Sequence, residues 1–478
     1  MNFFQRFIQA SLFVLGYHLQ QWTEDRPTRA PRSQLAREAI PYQVRRRMLD
    51  WARKMEQEDP LFNRFLDLCE QYVIGPTGLR ILSASSDARY RQAANAEFES
   101  WQPFCDVASL FSFGRRQSLI EREISVAGEV FILKTFGSTG RPRIQLFPSE
   151  AIETPMALQG EKDIFDGVRL EKNGRPISYF VITGPGPKDF DEIETERMLH
   201  LYDPSLIGQV RGLTIIYPVL KHMVDRGQLQ DLEMLAAKDH SRMSRVIKTA
   251  SGQLSVTGQI RARVPQSTQN NSGQSVQQTA SEYYEKVLGA ETKVLRNGDS
   301  MELLQSNRPS VAVQAFWDHI QAMEGAGMGL PIEIMVMRSL QGTMGRGAFD
   351  MANDFFRCRS AARAEDFSRI FRFVVQSSTN LRKIQPLDWW KTDYTPPKAI
   401  NVDVGRNSAA DVAMWQAGLK SLKQLVGPHG MTPEEFLEER ARDFELARDT
   451  EQRHGLPPGS IFPLTTGEQQ TQPEPTDA

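Results

Sequence analysis

Few residues in this chain could do chemistry, and their spacing says which chemistry. Gly325, Gly327 and Gly329 form G-x-G-x-G, with Gly342, Gly345 and Gly347 close behind. A phosphate cradle needs G-x-x-x-x-G-K-[ST], or G-x-G-x-x-G between a strand and a helix, so that successive backbone N–H groups converge on one anion. Neither spacing occurs. The glycines read instead as hinges, because a residue without Cβ lets the backbone turn sharply beside a helix. Carboxylate pairs for acid–base work would be Asp189/Asp191 and Glu192/Glu194, which read as part of a polar loop. There is no G-x-S-x-G nucleophile elbow and no H-E-x-x-H. His200, at the end of an expected strand, reads as a group that satisfies local backbone. Cys69, Cys105 and Cys358 lie far apart without a C-x-x-C pair, and the seven histidines are scattered. That pattern opposes a disulfide framework and a structural zinc site, and the cysteines read as small buried apolar residues. No catalytic, cofactor or metal site is expected, so the chain reads as machinery and not as an enzyme.

The elements that must carry such machinery follow from pattern. The 478 residues suggest about three domains. Apolar residues make up 40% and charged residues 24%, with 57 basic against 59 acidic side chains for a net charge of -2. Such a balance exerts no long-range pull on nucleic acid. Phe3 to Leu19 is apolar but interrupted by Gln5, Arg6, Gln9 and His18. It is too short and broken to span a membrane and lacks the basic start and cleavage site of a signal peptide. It reads as an arm that docks on a neighbouring surface, in a protein that is not secreted.

Residues 26–54 are basic. Val44, Met48, Trp51, Ala52 and Met55 make an apolar stripe with Arg45, Arg46, Arg47 and Arg53 largely around it. This helix is either a phosphate-contacting surface or, on the favoured reading, a solvated face over a helical core. A second helix follows Asp59-Pro60 and stops at Gly75-Pro76, and a third runs from Asp87 to Trp101. From Gly128 the pattern turns to strands, at Glu129 to Lys134, Arg143 to Phe147, and a hairpin around Asn173-Gly174 whose two central residues would both take positive φ. A long helix is expected from about Ile216 to Ile247, then a polar excursion at 251–280. Helix returns at Val311 to Glu324, breaks at Gly325 to Pro331, and returns from about Gly345 to Gln376. Thr432-Pro433 opens an acidic helix with Glu434, Glu435, Glu438 and Glu439 at its positive dipole end. The tail after Gly455 has the composition of a disordered segment. The fold class is α+β.

Taken in order, the segments resemble the lambda-type family of portal proteins of tailed bacteriophages. The resemblance rests on FESWQPFCDVASLFSFGRRQSLIEREISVAGEVFILKTF at Phe98 to Phe136, RIQLFPSEAIETP at Arg143 to Pro155, and DGVRLEKNGRPISYFVI at Asp166 to Ile182. It continues in MLHLYDPSLIGQVRGLTIIYPVLKHM at Met198 to Met223, GAGMGLPIEIM at Gly325 to Met335, and VDVGRNSAADVAMWQAGLKSL at Val402 to Leu422. The most specific pieces are the G-E-V-F strand, the IGQVRG turn before a long helix, and the glycine-flanked GLP. Thr343-Met-Gly-Arg346 replaces the family's Ser-rich run, 376–397 is shorter than usual, and 251–280 does not align.

The resemblance implies a portal fold with a mixed α/β wing, long stem helices, a clip excursion and a crown-like helical C-terminal region. Its divisions are an arm at 1–40, the wing at 41–205, a stem helix and clip at 206–310, a second stem, tunnel segment and long helix at 311–400, the crown-like region at 401–455 and a tail at 456–478. It implies a homo-oligomeric ring, typically dodecameric, at one capsid vertex, with double-stranded DNA passing through during packaging and ejection. Partners would be the terminase large subunit, the major capsid protein and scaffold, and head-tail connector proteins. No membrane is involved, and the protein would sit in the virion, or in the host cytoplasm during assembly. The implied channel segment is Arg338, Leu340, Gln341, Gly342, Thr343, Met344, Gly345 and Arg346. An ordinary interhelix loop buried between subunits is the competing reading of that segment. The acidic helix and the basic 26–54 segment are candidates for a head-to-tail contact. Two other classes stay open, an adaptor ring without a packaging role and a packaging-associated nuclease or protease.

Overall fold

The computed structural model describes residues 40–242, 247–248, 284–287, 290–295, 311–338, 342–401 and 404–461. The chain divides into two compact units, residues 1–220 with 325–478, and residues 221–324.

The first unit opens with α1 (Tyr42–Glu58), whose buried face is Arg45, Met48, Leu49, Ala52 and Met55. The next helix, α2 (Pro60–Cys69), starts where the Asp59 carboxylate accepts from the N–H groups of Leu61 and Phe62, 2.9 Å each. One wider turn follows at Glu70–Ile74, and Gly75 ends it at φ 85°, a left-handed conformation that glycine adopts without a Cβ clash. Then come β1 (Arg80–Ser83), α3 (Ala88–Trp101) and α4 (Phe113–Ala127). Helix α3 buries Tyr90, Ala94, Phe98 and Trp101, the stripe that its sequence spacing predicts.

Two antiparallel sheets form the β body. Strands β2 (Glu129–Phe136) and β3 (Pro142–Phe147) pair, and after β4 (Ile164–Phe165), β5 (Val168–Leu170), β6 (Pro176–Ile182) and β7 (Phe190–Glu194), β8 (Met198–Tyr202) returns to the free side of β2. The sheet orders are β3-β2-β8 and β4-β5-β6-β7. Phe131, Ile152, Val168, Tyr179, Val181 and Met198 form the core of this body. The Asn173-Gly174 hairpin forms, but not by the turn its sequence suggests. Only Gly174 takes positive φ, at 85°, while the Asn173 side chain accepts from the N–H of Arg175 at 2.9 Å. A side-chain-stabilised turn replaces the two-residue one.

The second unit contains most of α5 (Leu220–Arg242), the strands β9 (Ile247–Lys248), β10 (Tyr284–Val287) and β11 (Ala290–Leu295), and most of α6 (Val311–Met328). Arg226 and Glu324 pair across the two helices, with Nε 2.8 and 3.0 Å from the carboxylate oxygens. The polar excursion at 251–280 lies outside the described residues.

The first unit resumes with the end of α6. Gly325 and Gly327 are helical, so they are not the hinges the sequence suggested. A Cβ on Gly327 would lie 2.1 Å from a methyl of Val219, so this glycine permits close packing. Only Gly329 turns the chain, at φ 84°, with the Leu330 N–H returning to the Gly325 carbonyl at 3.0 Å. After α7 (Ile332–Val336) comes α8 (Gly342–Ser377), 36 residues and about 54 Å long at 1.5 Å per residue. Its buried residues, including Phe356, Phe367, Ile370, Phe371 and Val374, meet α3 and α4 in an aromatic cluster. Phe371 lies 4.8 Å from Phe98 between ring centres, and Phe367 lies 5.8 Å from Phe113. Then follow α9 (Thr379–Lys383), β12 (Thr392–Thr395), which pairs antiparallel with β1, and α10 (Val404–Gln416), α11 (Leu422–Val426) and α12 (Pro433–His454). Helix α12 begins at Thr432, the N-cap its sequence implies, and Glu435 completes a capping box with it. Cys69 and Cys105 are buried, whereas Cys358 is exposed on α8, against expectation.

Candidate functional site

Two motifs far apart in sequence meet at the centre of the β body. Gly128-Glu129 starts β2, and Arg211-Gly212 lies in the turn that leads to α5. A Cβ on Gly212 would lie 2.2 Å from the Gly128 carbonyl oxygen, and one on Gly128 would lie 2.3 Å from the Leu213 backbone. Only paired glycines let these two backbones touch.

Their closeness delivers Arg211 to Glu129. The fully buried carboxylate accepts from Arg211 Nε at 2.9 and 3.1 Å, from Nη2 at 2.6 Å, from Ser149 Oγ at 2.5 Å and from the Gly212 N–H at 2.7 Å. Arg45 of α1 reaches the same carboxylate at 3.3 Å and clamps Asp166 with Nε and Nη2 at 2.5 and 3.1 Å. Arg211 also bonds the carbonyls of Ile152, Ser149 and Asp166, and its guanidinium lies over the Phe131 ring. Burial alone would push the Glu129 carboxyl up, but Arg211, the His200 bond and Arg45 hold it well below the usual range. His200 stacks 4.2 Å from Phe131 and 4.5 Å from Tyr202, with Nε2 2.9 Å from Glu129. Burial lowers its pKa despite that carboxylate, so it is a neutral donor. His200 therefore serves a side-chain network and not local backbone. With every oxygen of Glu129 occupied by donors, this cluster binds parts of its own chain together.

A second cluster fastens α8. Arg359 Nε lies 2.5 Å from Glu121 of α4 and its Nη2 lies 2.7 Å from Ser125 Oγ. The fully buried Arg363 pairs with Asp203 just after β8, with Asp366 at 3.1 Å, and with Glu121 at 3.6 Å. Here the bonding is incomplete: Arg363 Nε and Nη1 and Glu121 Oε2 are buried without a hydrogen bond. Burial raises the Asp366 pKa to about 6, against the pull of Arg363 and with the help of Asp203.

The basic helix is largely spent on internal pairs. Besides Arg45, Arg53 bonds Glu150 at 2.7 Å and Glu123 at 2.6 Å. The carboxylate pairs near 190 stand on and beside β7, not in a loop. Glu192 accepts from Ser178 at 2.6 Å and Arg169 at 2.5 Å, and Asp189 caps the Gly186 N–H at 2.9 Å. Among the described residues no group of three or more His, Cys, Asp or Glu side chains could hold a metal ion, and no helix is long and apolar enough to cross a membrane.

The residues expected to face a channel are divided by the structure. Arg338 is exposed just after α7, behind Met337, which takes φ 54° although it is not glycine. Leu340 and Gln341 lie outside the described residues. Gly342, Thr343, Met344, Gly345 and Arg346 form the opening turns of α8, so the helix starts three residues earlier than its sequence pattern suggests. Gly345 is buried and Arg346 exposed.

No curated protein sequence matches the chain. Among solved structures, one chain of the "Neck of empty GTA particle computed with C6 symmetry" is similar, with a TM-score of 0.45 and 10% identity over 80% of this chain and 94% of that one. The family model described as "Phage portal protein, lambda family" matches residues 24–342. That span contains both halves of the Glu129–Arg211 junction and covers well over half of the sequence, and the chain belongs to the lambda family of phage portal proteins.

Proposed function

We propose that this portal protein assembles into a closed ring at one vertex of the capsid and serves as the conduit for double-stranded DNA during packaging and ejection. In that role it docks the terminase large subunit and the head-tail connector proteins. The observation that carries the reading is the family match over residues 24–342. The near-neutral charge of -2 suits a conduit, because a strongly basic lumen would hold phosphates by counterion release and not let them slide. On this reading the β body and its helices, 41–205, are the wing. Residues 206–310 are a stem helix and clip, 311–400 the second stem and long helix, and 401–455 the crown-like region.

Arg338, Leu340, Gln341, Gly342, Thr343, Met344, Gly345 and Arg346 are the channel segment in this reading. Arg338 and Arg346 bracket the N-terminus of α8, whose positive dipole end adds to their attraction for a passing phosphate. Such a contact is weak and salt-dependent.

Negative-stain microscopy of the purified protein tests the ring, with closed rings and a central channel expected. Monomers at all concentrations, with no ring in capsids, reject it. Shortening residues 340–345 should leave the ring intact but impair packaging or retention of DNA. Normal packaging and retention by that ring rejects the channel assignment, and a chain that no longer forms rings supports burial of the segment between subunits. A ring that never packages DNA would be an adaptor.

A further inference from the structure

At opposite ends of the small β1–β12 sheet the chain presents two unlike surfaces. At one end Arg80 pairs with Thr395 in register and its guanidinium grips Glu435 of α12. At the other, the ladder runs on from Ser83 to a bond between the Ala84 N–H and the Lys391 carbonyl at 2.9 Å. There the Asp388 carboxylate accepts from Ser85 Oγ and the Ser86 N–H, 2.9 Å each. The two anchor points are about 16 Å apart along the strand, at 3.3 Å per residue.

The Asp388 end is a basic knob. Holding Asp388 turns its neighbours outward, so that Leu387 is 100% exposed and Trp390 50% exposed. Around them stand the exposed cations Arg382, Lys383 and Lys391. The Glu435 end is an acidic socket. Met431, Phe436, Glu439, Arg440, Asp443 and Phe444 line a shallow hollow of about 300 Å³. Its charged lining is Glu439 and Asp443 against Arg440, on a helix that carries eight Asp and Glu against four Arg in all.

We infer that the knob at 382–391 of one copy seats in the α12 socket of the next copy, as the head-to-tail joint of the ring. This rests on the portal reading and names the surfaces by which its copies would meet. Two observations select a second copy of this chain as the occupant. The surfaces are opposite in charge, with Lys383 and Lys391 on one and Glu439 and Asp443 on the other. They are also unlike patches at opposite ends of one small sheet, and a head-to-tail contact between copies joins unlike surfaces. In the basic 26–54 segment, the other candidate partner of the acidic helix, Arg45 and Arg53 are occupied inside the chain, and residues 26–39 lie outside the described residues.

Charge exchange in the full-length protein tests the joint. One variant carries Lys383→Glu with Lys391→Glu, a second carries Glu439→Lys with Asp443→Lys, and a third carries all four. Ring formation against subunit concentration is followed by mass photometry at about 0.1 M salt, where surface charges are only partly screened. Each double variant should raise the concentration for half-assembly about tenfold, and the combined variant should return it to within about threefold of the parent. Leu387→Asp, on a fully exposed side chain that leaves folding unchanged, should block assembly outright. Unchanged assembly by the double variants or by Leu387→Asp overturns the joint while leaving the ring intact. Loss without recovery in the combined variant also overturns it, because the two surfaces then meet something other than each other. A parent chain that never forms rings overturns the portal reading itself, which the same titration reveals first.

Discussion

Two clusters of buried charge hold the first unit together, and they are built differently. Around Glu129 every carboxylate oxygen has donors, and Arg211 spends its guanidinium on Glu129, Asp166 and three carbonyls. Around Arg363 three carboxylates compete for one guanidinium, and two of its nitrogens remain without a hydrogen bond. Buried polar groups cost least when their bonding is complete and most when a partner is missing. The first cluster therefore fixes one arrangement. The second leaves bonds of Arg363 and Glu121 unmade, and it lies on the helix whose N-terminus is the proposed channel segment.

The largest expected effect tests the complete cluster. Glu129→Gln leaves Arg211 and Arg45 without their shared charge and should cost about 3–5 kcal/mol in denaturant unfolding. Acid should reproduce part of this loss. Because the folded-state pKa lies below the ordinary 4.5, the stability contributed by Glu129 is present above that value and is lost as pH falls through the lower one. A cost under about 1 kcal/mol would end the contrast.

The incomplete cluster should behave oppositely. The Asp366 pKa of about 6 stands above its ordinary 3.8, so the fold favours the protonated form. Its contribution is full below pH 3.8 and is lost as pH rises through 6. Asp366→Asn should therefore stabilise the protein on the order of 1–3 kcal/mol at pH 8 and hardly at all near pH 3.5. Paired melts at the two pH values check this, and destabilisation at pH 8 would contradict it. A smaller effect is expected for Arg363→Met, which fills similar volume and leaves Glu121 with Arg359. Its cost should be about 1 kcal/mol, well below that of Arg211→Met. Smallest of all, Met337→Gly relieves a left-handed backbone worth about 1–2 kcal/mol but gives back most of it as chain entropy. Its net change in unfolding free energy should stay within about 1 kcal/mol, and a larger loss would mean that the Met337 side chain is needed.

What the sequence discloses follows from how far each signal reaches. Local signals were legible: the helix start after Asp59-Pro60, the Thr432 cap, the stripe on α3, and the strands at 129 and 143 all form as the pattern implies. The G-E-V-F and IGQVRG motifs were recognisable, but not the reason for them, because Glu129 and Arg211 are joined only by the tertiary fold. Arg45 was readable in principle, since 45, 48, 52 and 55 share one helical face, yet an arginine on that face reads as solvated until its buried partners are known. The glycines at 325 and 327 misled because a glycine needed for close packing against Val219 looks the same in sequence as one needed for a bend. For the candidate channel segment, the start of α8 at Gly342 was masked by two glycines and a threonine, weak helix formers that tertiary context overrides.

Helix α8 is a cantilever. From Ala352 to Val375, a length of about 36 Å, it is built into the body through its buried residues. Nearer its N-terminus, Arg346 to Met351 are half-buried or exposed. A beam so mounted does not absorb a sideways load at its outer end, but delivers it as torque to the root. The root region holds Arg359 and Arg363, the latter with its unspent hydrogen bonds. On the channel reading proposed above, a load on that end would be felt about 30 Å away, at the cluster whose hydrogen bonding is incomplete.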